Sequence, residues 1–61
     1  MEQPAFDLAT LRLTTNQYLE YRRAGYNHNG AIHQLALWAR GTFNLSLRDA
    51  TQLARDAAED A

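Results

Sequence analysis

No cysteine occurs in this 61-residue chain, so disulfide staples and thiolate metal sites are excluded, and the absence fits a reducing compartment. Valine is absent too, and isoleucine occurs once, at Ile32, against eleven alanines and nine leucines. Alanine and leucine lose little entropy in a helix, whereas β-branched residues lose more. The composition therefore favours an all-α fold. No run approaches the roughly 18 apolar residues of a membrane span. The opening Met1-Glu2-Gln3-Pro4, acidic and holding the only proline, does not read as a signal peptide. No membrane partner is expected, and the predicted location is cytoplasmic. Lysine is missing as well: all six basic residues are arginine, a mark of a GC-rich genome that suggests a bacterial or phage source.

What the chain does contain is helix punctuation. Thr14-Thr15-Asn16-Gln17 and Ser46-Leu47-Arg48-Asp49 each place a hydroxyl at a cap and a carbonyl-bearing side chain three residues on, the pattern of a capping box. Gly25 and Gly41 stand where the first two helices are expected to stop. These signals predict a compact three-helix bundle with helices over about 15–24, 28–40 and 47–60. Residues 1–13 are expected to form an N-terminal arm, and residues 14–61 the domain. A core of this size rarely supplies more than about 3–5 kcal/mol of net stability, so a partner or self-association is expected.

Within the arm, Phe6, Leu8, Leu11 and Leu13 fit neither strict alternation nor a full helical stripe. A short extended segment and a single turn capped by Asp7 both remain open. In the first helix, Leu13 is expected to staple onto Tyr18 around a Thr14 cap. Tyr18, Leu19, Tyr21 and Arg22 then form a broad face, with Glu20 and Arg23 toward water, and Tyr26 is placed to fold back over the last turn. For the second helix Asn27 is the better cap, because Tyr26 and Ala31 then take the staple positions; Asn29 is the alternative. Ile32, Leu35, Ala36 and Ala39 fall on one side at helical spacing, flanked by Ala31 and Trp38. Leu37 projects from the opposite side, beside His33 and Arg40. Phe43 and Leu45 are available to plug the core. In the third helix Ala50, Leu53, Ala54, Ala57, Ala58 and Ala61 form an i, i+3, i+4 stripe. Alanines bury little area, so its last two turns are expected either to fray or to dock.

From Ala31 to Leu53 the chain resembles the helix–loop–helix of the C-terminal domain of the bacterial ribosomal stalk protein. The shared core is Leu45-x-Leu47-Arg48-Asp49-Ala50, with Leu53 three residues on. That resemblance implies docking of a translation factor through Arg40, Arg48 and the neighbouring apolar surface. Both family glycines are replaced, by Asn44 and Ser46, the second lysine by Thr51, and the remainder of that α/β domain has no counterpart. Ala24-Gly25-Tyr26 is also similar to the Met-Gly-Phe/Tyr loop of ubiquitin-associated-type three-helix domains. This second likeness implies an architecture more than a ligand.

Catalytic chemistry finds no support in these residues. His28 and His33 are spaced i, i+5, which does not put them on one helical face, and no acidic or thiolate partners complete a zinc site. Neither a nucleophile with a base nor a Gly-rich phosphate loop is present, so no enzyme activity, metal or cofactor is expected. The net charge of −1 hides an uneven distribution: residues 8–55 carry six arginines against Glu20 and Asp49, and the other five acids lie at the ends. Such asymmetry marks an anionic partner, or acids that merely offset a basic middle. Tyr, Trp and Arg are the types enriched at binding hot spots. Trp38, Leu37, Arg40, Arg48 and Tyr26 are therefore the expected contacts to another protein, a second copy of the chain included. The alternative is a DNA-binding regulator reading a groove with Arg48, Thr51, Gln52 and Arg55, which face one side of the third helix. Arg12, Arg22, Arg23 and Arg40 would then add phosphate contacts.

Overall fold

The computed structural model describes residues 6–61 and shows three helices: α1 over Leu8–Arg23, α2 over His28–Phe43 and α3 over Leu47–Asp60. Among the described residues there is no strand, and no helix is long and apolar enough to cross a membrane. The all-α three-helix bundle expected from composition and caps is what the chain forms.

Two of the expected caps are in place. The Asn27 side-chain oxygen accepts a hydrogen bond from the Gly30 N–H at 2.7 Å, which decides between Asn27 and Asn29. The Ser46 hydroxyl accepts from the Asp49 N–H at 3.1 Å. Leu45 and Ala50, at the staple positions around that cap, pack in one cluster.

The first helix departs from expectation. It begins at Leu8, capped by Asp7, whose carboxylate accepts from the Thr10 N–H at 2.8 Å. Phe6 and Leu11 hold the staple positions around this cap and pack against the same cluster. Leu13, expected to staple onto Tyr18, is instead 57% exposed. Thr14 is no cap either. It is fully buried inside the helix, and its hydroxyl donates to the Thr10 carbonyl at 2.7 Å, an i−4 bond available only to a residue already in a helix. Residues 8–13 of the expected arm are thus helical, because a capped first turn carries the nucleation cost and each later residue adds a bond. Residues 1–5 of that arm lie outside the described residues.

At its other end α1 closes as the sequence suggests. Gly25 adopts φ 108°, its N–H reaches the Arg22 carbonyl at 3.1 Å, and the Tyr26 N–H reaches the Tyr21 carbonyl at 3.2 Å. This is a Schellman ending, and the Tyr21 and Tyr26 rings meet edge to face at 5.7 Å. Gly41, by contrast, does not end α2. The helix continues to Phe43 and stops at Asn44 in the left-handed region, φ 55°. Asparagine tolerates that conformation better than most residues with a side chain.

The core is two adjoining clusters. One gathers Tyr18 from α1, Ala31, Leu35 and Ala36 from α2, and Ala54, Ala57 and Ala58 from α3. The other gathers Ala39, Ala50 and Leu53, with Phe43 and Leu45 packed against it as expected. Leu11 and Trp38 pack on both. The last turns of α3 are docked, Ala57 being fully buried and Ala58 nearly so, while Ala61 lies exposed beyond the helix. Leu19 turns outward, 41% exposed, so the apolar face of α1 is narrower than expected.

Candidate functional site

An open groove of about 380 Å³ runs between α2 and α3. Asn29, Ile32, His33, Ala36 and Leu37 line it from α2, and Leu47, Thr51 and Arg55 from α3. The start of α2 faces the end of α3, since His28 and Asn29 share the adjoining cleft with Arg55, Ala58 and Glu59. The two helices are therefore antiparallel, joined by the three residues Asn44–Ser46. Leu37 and Leu47 both line the groove toward its turn end, 47% and 52% exposed.

The local chain explains why Leu37 is outside. On α2, Leu35 and Leu37 are about 200° apart at 3.6 residues per turn. Burial of Leu35 under α1 and α3 therefore forces Leu37 outward. On α3, Leu47 stands i−3 from Ala50 and i−7 from Ala54 and so continues their stripe by spacing, yet in the first turn of the helix it is 52% exposed. It falls in line with Thr51, one turn later. Thr51 donates its hydroxyl to the Leu47 carbonyl at 2.7 Å, so its polar atom is turned into its own helix.

The five expected contact residues do not form one surface. Leu37 lines the groove. Arg40 is exposed and stands i+3 from Leu37 and i+4 from Ala36, on the groove side of α2. Arg48 is exposed beside Leu47 at the start of α3. Trp38 is elsewhere: half-buried, it packs against both core clusters and meets Phe43 edge to face at 5.5 Å. Tyr26 is 42% exposed, but it sits at the α1–α2 turn with its ring against Tyr21. Sequence reasoning missed Leu47 and the lining roles of Ile32 and His33. Spacing gives no signal that Leu47 is outside, since at i−3 from Ala50 and i−7 from Ala54 it continues the alanine stripe. Ile32 carries no such signal either, because it packs on the core and lines the groove at once.

The four residues proposed for base reading do share one side of α3, but two are occupied. Thr51 is bonded as described, and the Gln52 amide donates to the Asp56 carboxylate at 3.0 Å. Arg48 and Arg55 remain, with Glu59 one turn past Arg55. Among the described residues the one ion pair is Glu20 with Arg23, 3.1 Å apart on the surface of α1.

His28 opens α2; among the described residues no three His, Cys, Asp or Glu side chains cluster. Its Nδ1 lies 2.9 Å from the Tyr18 hydroxyl, which also accepts from the Arg22 guanidinium at 3.1 Å. With Arg22 donating to the oxygen, the phenol proton is free to go to Nδ1 of the neutral ring. The network ties α1 to the start of α2. His33 is exposed on the groove rim.

The helix pair over residues 31–53 is what any two capped helices form, so it carries no argument for the likeness to the ribosomal stalk domain. Comparison with family models, with curated proteins and with solved structures returns no match to this chain.

Proposed function

We propose that this protein is a small non-enzymatic binding module, a regulator that works by holding another protein against the α2/α3 groove. What supports this reading above all is the pair Leu37 and Leu47, half-exposed and both lining an open groove toward its turn end. Two half-exposed leucines lining one groove make an apolar patch of the kind that marks a contact surface. Arg40 and Arg48 stand beside them and Arg55 lines the same groove further from the turn, and arginine beside apolar surface is the composition of protein contacts. The contact set is accordingly Leu37, Leu47, Arg40, Arg48 and Arg55. Trp38 acts behind them by holding α2 in place, and Tyr26 by closing the α1–α2 turn. On composition, the setting is the cytoplasm of a bacterium or of a phage-infected cell.

The experiment is an affinity purification from a bacterial lysate with the wild-type chain and with Leu37→Glu. The expected outcome is one or more proteins recovered with wild type and lost with Leu37→Glu, while both chains keep the same cooperative melt by circular dichroism. Equal recovery with both chains removes the groove from the reading. A second reading, DNA binding, is favoured by Arg48 and Arg55, seven residues apart on one face of α3 and in no ion pair among the described residues. It requires retention on random duplex DNA that falls steeply with salt, by counterion release. No retention at low salt removes it.

A further inference from the structure

The groove has a chemistry as well as a shape. Its floor is Ile32, Ala36, Leu37 and Leu47, and its rim carries Arg55 and His33, with Arg40 and Arg48 beside the leucines at the turn end. None of the three arginines is in an ion pair among the described residues. Among the described residues that line the groove and its adjoining cleft, the one acid is Glu59, at the opposite end. From Asn29 to Leu37 the α2 wall is about 12 Å long at 1.5 Å rise per residue. That length matches apolar anchors at i, i+4 and i+7 of one bound helix.

This charge pattern selects the occupant. A second copy related by a two-fold axis through Leu37 and Leu47 would set Arg40 and Arg48 near their own equivalents, and like charges across an interface oppose association. DNA would meet the arginines but leave the leucine floor uncovered by any complementary surface. Resting on the protein-binding reading above, we infer that the α2/α3 groove docks an acidic amphipathic helix. Its apolar anchors lie on Ile32, Leu37 and Leu47, and its Asp or Glu side chains flank them toward Arg40, Arg48 and Arg55. Arginine suits this task because its fork pairs two carboxylate oxygens at once.

The test uses two synthetic helical peptides of about 15 residues, roughly four turns, with leucines at i, i+4 and i+7. One carries glutamate at every flanking position and the other lysine. Each is titrated into the full chain while the methyl resonances of Ile32, Leu37 and Leu47 are followed by NMR. The expected result is saturable movement of these methyls with the glutamate peptide, at a dissociation constant of about 10–100 μM, and none with the lysine peptide. In the double variant Arg48→Glu/Arg55→Glu the preference inverts: the glutamate peptide loses at least about tenfold in affinity, and the lysine peptide now binds. This inversion also shows that the variant is folded. Equal binding of both peptides by wild type overturns the inference while leaving a purely apolar docking groove. Movement confined to other methyls overturns it too. Methyl shifts that grow with protein concentration in the absence of peptide place a second copy in the groove, and a mass increase with duplex DNA in place of peptide assigns the arginines to phosphate. Either of these overturns it as well. If neither peptide moves the groove methyls, the acidic-helix inference fails, and the lysate experiment with Leu37→Glu still decides the broader reading.

Discussion

Thr14 and Thr15 are adjacent, identical in chemistry and opposite in consequence. The Thr14 hydroxyl is bonded to the Thr10 carbonyl, whereas the Thr15 hydroxyl is buried with no hydrogen-bond partner. Losing a made bond costs stability, and removing an unsatisfied buried hydroxyl relieves a desolvation penalty. Thr14→Val is therefore expected to destabilise by about 1 kcal/mol and Thr15→Val to stabilise by a similar amount, read from urea unfolding. Asp7 is the residue whose protonation the fold senses. The Thr10 side chain, and then the Thr10 backbone N–H, hold its carboxyl below the ordinary value of 3.8. A folded-state value below the unfolded one means the charged cap adds stability above the unfolded value. That contribution is lost as pH falls through the folded value. The protection of the Thr10 amide relative to its intrinsic exchange rate is thus expected to fall as pH drops below the ordinary carboxylate range. Asp7→Asn, which keeps a capping oxygen, is expected to remove that acid step and leave the helix start in place. An unchanged acid step in Asp7→Asn would assign it to another group.

The helices show how far local signals reach. Asn27, Ser46 and Gly25 were legible because a cap is made of bonds between residues three to five apart, all visible in one short window. Gly41 misled for the same reason: a glycine near a helix end is a stop signal only if the chain turns there, and here the turn falls at Asn44. The two glycines make opposite predictions. At Gly41 a Cβ would meet nothing within 4 Å, and the residue is helical, so Gly41→Ala is expected to stabilise by roughly 0.5–1 kcal/mol. At Gly25 there is equal space, but φ is 108°, so Gly25→Ala is expected to destabilise by about 1–2 kcal/mol. Thermal melts of the two variants check both signs. The early start of α1 was not legible with the same ease. Asp7 and Thr14 are both acceptable caps, and only the cluster of Ala39, Ala50 and Leu53, distant in sequence, receives Phe6 and Leu11 and so selects Asp7.

On the scale of the molecule, the core is thin. Its largest fully buried side chains are Leu35, Leu53 and Thr14, and much of the rest is alanine, which lets α3 lie close to α1 and α2 but contributes little buried area. Leu53→Ala removes one of those two leucines at a cost of about 2–5 kcal/mol, against a net stability of about 3–5 kcal/mol for a core this small. It is expected to abolish the cooperative melt. Leu37→Ala, at a half-exposed site, is expected to leave the melt within about 0.5 kcal/mol of wild type. Matching losses in both variants would place Leu37 in the fold rather than on a binding surface.

Composition, helical spacing and caps determined that this chain makes three helices, where α2 and α3 begin, and how α1 ends. These follow from the conformational preferences of single residues and from hydrogen bonds within one turn. The tertiary structure alone decided which leucine of α3 shares a groove with Leu37. Helical spacing already set Leu37 opposite Leu35, whereas Leu47 continues the buried stripe of α3 by spacing and is nonetheless 52% exposed. The same packing set the half-buried Trp38 against both core clusters, and it placed Leu47 of α3 and Leu37 of α2 in the lining of one groove. Burial is a property of neighbours that converge from distant parts of the chain, and no local window contains them.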